Sequence, residues 1–325
     1  MPGMDANVPP PTQAERLPDQ SESQTRPPIF IFGVTRSGTT LLTQMLDLHP
    51  NLSIYLESGF LHQIPRAAAE KTLTSDAEVG ALLDRVRNVP QEGVSRDAVE
   101  RRFATSDRRV RTLFDTILRV RMQARGKRRY GEKTPSHFWK LALLLRWYPE
   151  AKLIFLFRDP RDVYASFQRW REFGNVGRAD STLLGRSLYW NYYQRVLQQT
   201  QQCYPGQVFE VKFESLVREP RATLEGLCDF LGEELAPSML AVESNNSMFP
   251  ETRDRAGLRP EVLDRKRSLN RTQTALIELI CGEYMLAKGC RLSPACRQLV
   301  PMLSALGFYT LSGGLHGLIR RWRYD

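Results

Sequence analysis

The stretch FIFGVTRSGTTLLTQML, residues 30–46, passes from an apolar run through a glycine-containing loop into a segment with a helical apolar stripe. The run Ile29–Phe32 is fully apolar, which is typical of a buried central strand. The stripe that predicts the helix consists of Leu41, Leu42, Met45 and Leu46. The intervening loop, GVTRSGTT at 33–40, comes close to the phosphate-binding pattern G-x-x-x-x-G-K-[ST]. Thr39 stands where that pattern has lysine.

This loop has the composition of an anion-binding site. Gly33 and Gly38 can adopt backbone angles closed to other residues, so the loop can curl and point several N–H groups inward. The helix that follows adds the positive end of its dipole. Further donors come from the Arg36 guanidinium and from the hydroxyls of Ser37, Thr39 and Thr40. Because the lysine is missing, a magnesium-dependent triphosphate reaction is disfavoured, and a nucleotide that ends in a sulfonate is favoured.

Composition narrows the class of protein further. The 46 Lys and Arg against 36 Asp and Glu give 325 residues a formal charge of +10, which favours anionic ligands. The five cysteines are odd in number and without C-x-x-C spacing, which indicates reduced thiols and a cytoplasmic location. The four histidines lack metal-ligand spacing, so we expect no metal site. The N-terminus also lacks the pattern of a signal peptide.

The order of elements along the chain predicts an α/β fold. Residues 1–27 are polar and proline-rich, and we expect a disordered tail. The runs 152–157 and 208–213 are two more predicted strands, and 136–147, 160–170, 222–231 and 272–287 are predicted helices, with 66–128 largely helical and charged. Alternating strands and helices predict a parallel sheet covered on both faces. One domain, 28–298, is the simplest division, followed by an apolar and basic segment, 299–325.

Two strand ends carry the motifs of one family. The loop 33–40 resembles the 5′-phosphosulfate-binding loop of sulfotransferases that use 3′-phosphoadenosine 5′-phosphosulfate (PAPS). The segment FRDPRDVYASF at 157–167 resembles their 3′-phosphate-binding segment, which implies that Arg158 and Ser166 hold that phosphate. The resemblance covers roughly 28–290 and is closest to the tyrosylprotein sulfotransferase branch and its bacterial relatives. It implies a three-layer P-loop-like fold, PAPS as co-substrate without a metal, and 3′,5′-ADP as product.

The same resemblance implies the catalytic residues. Glu57, 21 residues after Arg36, matches the family's general base, and the His-Pro and Ile-Pro pairs around it match as well. Lys133 matches a lysine that contacts the leaving oxygen or the sulfonate, and together with Arg36 it would stabilise the transfer. His62 and His137 stay open as alternative bases, and Glu132 as a second base or as a residue that orients Lys133.

The predicted reaction is therefore sulfuryl transfer to a hydroxyl acceptor, which could be a small molecule, a carbohydrate, a lipid or a protein tyrosine. A P-loop kinase with Asp159 as magnesium ligand is the alternative, and a nucleic-acid-binding protein is a weaker one; we expect no nucleic-acid partner. The acceptor pocket is expected from residues 66–128, 171–186 and 244–271. The C-terminal segment either packs on the core or contacts a membrane surface peripherally.

Overall fold

The computed structural model describes residues 26–89, 91–172, 182–242, 263, 266 and 268–305. Residues 1–25 of the predicted disordered tail, parts of the predicted acceptor pocket and most of the C-terminal segment lie outside these residues. Five parallel strands form one sheet in the order β2-β3-β1-β4-β5. Their bounds are Ile29–Gly33 (β1), Leu52–Leu56 (β2), Arg129–Lys133 (β3), Lys152–Phe157 (β4) and Val208–Lys212 (β5).

Helices cover the sheet. The α-helices are Thr39–Asp47 (α1), Asp76–Leu83 (α2), Arg96–Ala104 (α3), Val110–Ala124 (α4), Leu141–Trp147 (α5), Pro160–Glu172 (α6), Leu183–Cys203 (α7), Phe213–Arg218 (α8), Pro220–Leu231 (α9), Arg271–Ala287 (α10) and Pro294–Ala305 (α11). Short 3-10 helices span Leu61–Gln63, Arg66–Ala68, Pro135–Lys140 and Pro237–Leu240.

The side chains of β1 divide between two cores. Phe30 and Phe32 point to one face, where they join a cluster with residues of α4, α5, α7 and α10. Ile29 and Ile31 point to the other face, where they join residues of α1, α8 and α9. Alternation along a strand buried on both faces produces this division. The predicted three-layer α/β fold with a central parallel sheet is therefore confirmed.

The sequence pattern predicted three strands, and the sheet has five within the described residues. β2 and β3 were missed because neither is a continuous apolar run, and β3 reads RYGEK. Its charged side chains are nevertheless buried, since each finds partners from distant parts of the chain. Arg129, for example, donates hydrogen bonds to the carbonyls of Pro27 and Leu231. Hydrophobic periodicity cannot detect a strand that is stabilised in this way.

Two other element boundaries differ from the predicted ones. The helix predicted over 136–147 is a 3-10 helix, Pro135–Lys140, that continues into α5. Phe213, predicted as the end of a strand, is the first residue of α8. The last described helix, α11, buries Cys296 and Val300 and crosses the boundary expected between residues 298 and 299.

Candidate active site

The predicted site residues follow the carboxyl ends of the strands. Glu57 comes after β2, Lys133 ends β3, the loop 34–38 leaves β1, and Arg158 comes after β4. Because β1 lies between β3 and β4, its loop has Lys133 on one side and Arg158 on the other. This edge is where ligands bind in open parallel sheets.

The loop after β1 is folded back on the strand end, and both glycines are required for that. A Cβ on Gly33 would lie 2.4 Å from Thr39 Cγ2 and 2.5 Å from Ser37 Oγ. Gly38 has φ +102°, and a Cβ there would lie 2.2 Å from the ring of Phe213. Ser37 Oγ is buried without a hydrogen-bond partner in the described part of the chain. An unsatisfied hydroxyl inside a glycine cradle fits an oxygen of a bound anion.

The two predicted nucleotide-binding motifs meet in space. Arg158 Nη1 donates a hydrogen bond of 2.9 Å to the carbonyl oxygen of Arg36, within the loop. Arg36 has φ +75°, and its Nε lies 3.3 Å from Ser166 Oγ on α6. Burial lowers the pKa of Arg158, although the nearby carboxylates of Asp162 and Glu214 oppose that shift. The loop and the 157–167 segment therefore form one basic site.

The predicted base and the predicted lysine lie on the other side of the loop. Lys133 Nζ lies 2.5 Å from Glu57 Oε1 and 3.5 Å from Thr40 Oγ1. The Lys133 side chain is fully buried, whereas that of Glu57 is 41% exposed. Glu57 also donates its backbone N–H to the carbonyl of Lys133, at 2.7 Å. A carboxylate, a cation and the anion loop are thus in contact with one another.

The alternative base His137 is committed to structural hydrogen bonds. It is fully buried, its Nε2 accepts from the backbone N–H of Leu61 at 3.1 Å, and its Nδ1 lies 2.9 Å from Glu132 Oε2. Both ring nitrogens therefore have protein partners, which leaves no nitrogen for an acceptor hydroxyl. His62 lies on the 3-10 helix Leu61–Gln63 and is partly exposed. Glu57, by contrast, contacts Lys133 Nζ with its carboxylate.

Asp159, the predicted magnesium ligand of a kinase, is held by cations. Its two oxygens accept from Arg161, Oδ1 from Nε at 3.0 Å and Oδ2 from Nη2 at 2.6 Å. Lys266 Nζ lies 3.4 Å from Oδ2 as well. Burial alone would raise the pKa of Asp159, but the Arg161 guanidinium outweighs it and the pKa is lowered. This carboxylate is thus already neutralised by protein side chains.

Two residues near the site were not predicted with a role. Phe213 lies under the Arg158 guanidinium, with the guanidinium carbon 4.3 Å from the ring centroid, a cation–π contact. Its position directly after β5, at the same edge of the sheet, was the signal that could have found it. Lys266 donates its backbone N–H to Asp162 Oδ1 at 2.6 Å, next to the start of α6. The basic run that contains Lys266 was the signal that could have found it.

Comparison with known proteins gives the class of protein. The Sulfotransferase family matches residues 27–237, most of the chain, and the chain therefore belongs to that family, which confirms the resemblance. An uncharacterized protein of Aquifex aeolicus is 28% identical over 225 residues, which are 68% of this chain and 27% of that protein. A putative protein-tyrosine sulfotransferase of Caenorhabditis briggsae is 29% identical over 216 residues, 65% of this chain and 68% of the relative.

A solved structure is similar in fold. The sulfotransferase domain of the Synechococcus PCC 7002 olefin synthase superimposes with a TM-score of 0.54 at 22% identity, and the match covers 79% of this chain and 96% of that domain. The chain spans only about a quarter of the length of the Aquifex relative, as the 27% coverage shows. Within the described residues, no helix is both long and apolar enough to cross a bilayer, and no cluster of three metal-ligating side chains occurs.

Proposed function

We propose that this protein transfers a sulfuryl group from PAPS to a hydroxyl acceptor and releases 3′,5′-ADP. The observation that carries the proposal is the 2.9 Å hydrogen bond between Arg158 and the backbone of Arg36. It joins the strand end expected to bind the phosphosulfate to the strand end expected to bind the 3′-phosphate. One adenosine nucleotide with phosphate groups on both its 3′ and 5′ oxygens can then contact both. Family membership supports the same conclusion.

The donor site is expected to work through the chain's own groups. The orphaned hydroxyl of Ser37, the loop N–H groups and the start of α1 at Thr39 and Thr40 provide donors for the phosphosulfate. Arg158 and Ser166, buried at 4% and 1% exposure, provide donors for the 3′-phosphate. Arg36 lies between them, so its guanidinium can contact either end.

The chemistry requires one proton to leave the acceptor and one S–O bond to break. Glu57 accepts the hydroxyl proton while the acceptor oxygen forms its bond to sulfur. The bond from sulfur to the 5′-phosphate oxygen breaks, and that oxygen keeps the electron pair. Lys133, which contacts Glu57 and Thr40, stabilises the charge that develops there, and Arg36 assists. The half-exposed Glu57 carboxylate is open to an acceptor.

A nucleotide-dependent kinase has less support. Thr39 replaces the lysine that contacts the outer phosphates, and Asp159 is bound to Arg161. The acceptor class stays open among small molecules, carbohydrates, lipids and protein tyrosines.

The test begins with ligand binding. We expect 3′,5′-ADP without metal to raise the melting temperature, and ATP with Mg²⁺ to have a smaller effect. Glu57→Gln should keep the 3′,5′-ADP effect while sulfate transfer from PAPS falls about 10²- to 10⁴-fold, as expected for loss of a general base. Glu225→Gln, an exposed glutamate on α9, is the matched control and should behave like the unmodified protein. Full turnover in Glu57→Gln would assign the base elsewhere, and stabilisation by ATP–Mg²⁺ alone would refute the donor.

We also propose peripheral contact between the C-terminal segment and an anionic membrane surface. On α11, Leu299 is 45% and Met302 is 64% exposed, and Arg320, Arg321 and Arg323 follow in the sequence. Flotation with vesicles that contain phosphatidylserine should carry the protein, and Leu299→Gln with Met302→Gln should weaken that binding. Equal recovery of both proteins would contradict the proposal. The cytoplasmic location stays a prediction.

A further inference from the structure

A buried carboxylate connects the carboxyl ends of β2 and β3, where Glu57 and Lys133 lie. Glu132, 1% exposed on β3, accepts at Oε1 from the backbone N–H of Ser58 at 3.2 Å and from its hydroxyl at 2.8 Å. The hydroxyl of Thr134 donates to the same oxygen. Ser58 directly follows Glu57, and Thr134 directly follows Lys133. One oxygen atom therefore ties the backbone beyond β2 to the backbone beyond β3.

The second oxygen of this carboxylate is held by His137. Leu61 donates its N–H to His137 Nε2, so Nε2 carries a lone pair and the ring proton resides on Nδ1. Nδ1–H then donates to Glu132 Oε2 at 2.9 Å. Because a proton on Nε2 would oppose the Leu61 N–H, the local hydrogen bonds select the neutral Nδ1–H tautomer. That tautomer requires an acceptor at position 132.

We propose that Glu132 is a positioning residue that sets the distance between the Glu57 carboxylate and the Lys133 ammonium. This inference rests on the proposed function. Glu57 has φ +59°, a backbone conformation that a residue with a side chain rarely keeps without external constraint. Its own N–H bond to the Lys133 carbonyl and the bonds from the Asn88 amide to the Leu56 and Glu57 carbonyls constrain it. One residue later, the two Ser58 bonds to Glu132 constrain it further. Glu132 thus keeps the Glu57 carboxylate next to the Lys133 ammonium, although its own side chain contacts neither of these two groups.

The hydrogen-bond pattern distinguishes glutamate from glutamine at this position. In one orientation a glutamine amide would place its NH₂ against the Ser58 N–H, and in the other against the His137 Nδ1–H. Each orientation therefore sets an N–H donor of the amide against an N–H donor of the protein. Glu132→Gln therefore keeps the side-chain size and removes the pattern that fixes Ser58 and the tautomer of His137.

Kinetics provide the first test. Glu132→Gln should lower kcat for sulfate transfer about 10- to 100-fold, because displacements near 1 Å have effects of that order. The KM for PAPS and the affinity for 3′,5′-ADP should change less than about 3-fold, since the donor groups are untouched. Glu92→Gln is the matched control: Glu92 is also buried and bound to a charged partner, Arg121, at 2.5 Å. It should lower the melting temperature and leave kcat unchanged.

The tautomer of His137 provides a readout independent of activity. The imidazole nitrogen shifts in ¹⁵N NMR distinguish the two neutral tautomers, and His49 is an internal reference. His49 Nδ1 accepts from the Asn51 N–H at 3.1 Å and its Nε2 lies 2.9 Å from the Glu234 carbonyl, so it is the Nε2–H form. We expect Nδ1–H for His137 in the unmodified protein. In Glu132→Gln that signature should be lost while His49 is unchanged.

A milder variant keeps the inference testable if Glu132→Gln does not fold. Ser58→Ala removes one hydroxyl donor and leaves the carboxylate and His137 in place. It should lower kcat about 3- to 10-fold with unchanged 3′,5′-ADP affinity. Unchanged kcat in a folded Glu132→Gln or in Ser58→Ala would overturn the positioning role, as would an Nε2–H tautomer of His137 in the unmodified protein. An unmodified protein without any sulfate transfer would instead contradict the proposed function.

Discussion

Replacing Arg158 by alanine should remove the protein's preference for a nucleotide with a 3′-phosphate. The guanidinium is buried, at 4% residue exposure, and it has two roles that can be separated. It donates to the Arg36 carbonyl, which shapes the loop. It also provides the buried positive charge where the 3′-phosphate is expected.

The two roles affect two ligands differently. Loss of the hydrogen bond from the charged guanidinium to the Arg36 carbonyl costs about 1.5–3 kcal/mol and should weaken 3′,5′-ADP and 5′-AMP alike. Loss of a charge-assisted contact to the 3′-phosphate costs about 1.5–3 kcal/mol and acts on 3′,5′-ADP alone. The ratio of the two affinities should therefore fall about 10- to 150-fold. A general loosening of the loop cancels in that ratio.

Isothermal titration of both nucleotides at one salt concentration measures the ratio, since phosphate contacts depend on ionic strength. Arg221→Ala, which removes a 64% exposed arginine side chain on α9, is the control and should leave the ratio unchanged. If Arg158→Ala weakens both nucleotides by the same factor, Arg158 only shapes the loop and the 3′-phosphate assignment is wrong.

Three further predictions concern the loop, the cation and pH. Gly38→Ala should abolish 3′,5′-ADP binding in a calorimetric titration while the circular dichroism spectrum stays native. The reason is that Gly38 has φ +102° and a Cβ there would lie 2.2 Å from the Phe213 ring. Retained affinity would refute the loop geometry. Lys133→Met keeps the buried volume. It should lower kcat about 10²- to 10³-fold and leave nucleotide binding intact, as expected for loss of a donor that acts in the transition state. An equal loss of nucleotide affinity would contradict that role. Burial and the neighbouring Asp159 raise the pKa of Asp162 from 3.8 to about 6, so its ionisation is costlier in the folded than in the unfolded state. Its contribution to stability therefore falls as pH rises from about 4 to about 6. In urea unfolding, Asp162→Asn should raise the free energy of unfolding by up to about 3 kcal/mol at pH 7.5 and by almost nothing at pH 4. A stabilisation that does not depend on pH would refute the pKa shift.

Some strands could be predicted from the sequence and others could not, for physical reasons. β1 and β4 were predicted because strands buried on both faces read as continuous apolar runs, IFIFG and KLIFLF. β2 and β3 were missed, although they carry Glu57 and Lys133 to the site. The buried Arg129 and Lys133 of β3 have partners far away in sequence, and no local pattern records such pairs.

The residues of the candidate site also differ in how far the sequence alone could predict their roles. The loop and the 157–167 segment were recognisable because several residues at fixed spacing must surround an anion, and local sequence sets that spacing. His137 was left open as a base because its residue type fits. Its hydrogen bonds to Glu132 and Leu61, which occupy both ring nitrogens, join different elements.

By itself, the amino-acid sequence determined the class of fold and the family and predicted the two nucleotide-binding motifs, since these depend on periodicity and on short-range spacing. Only the tertiary structure decided that Lys133 contacts Glu57, that Arg158 contacts the loop of Arg36, and that Phe213 packs under Arg158. The order of strands in the sheet produces these neighbours. That order depends on how whole helices and strands pack, so it is a property of the folded chain and not of any short segment.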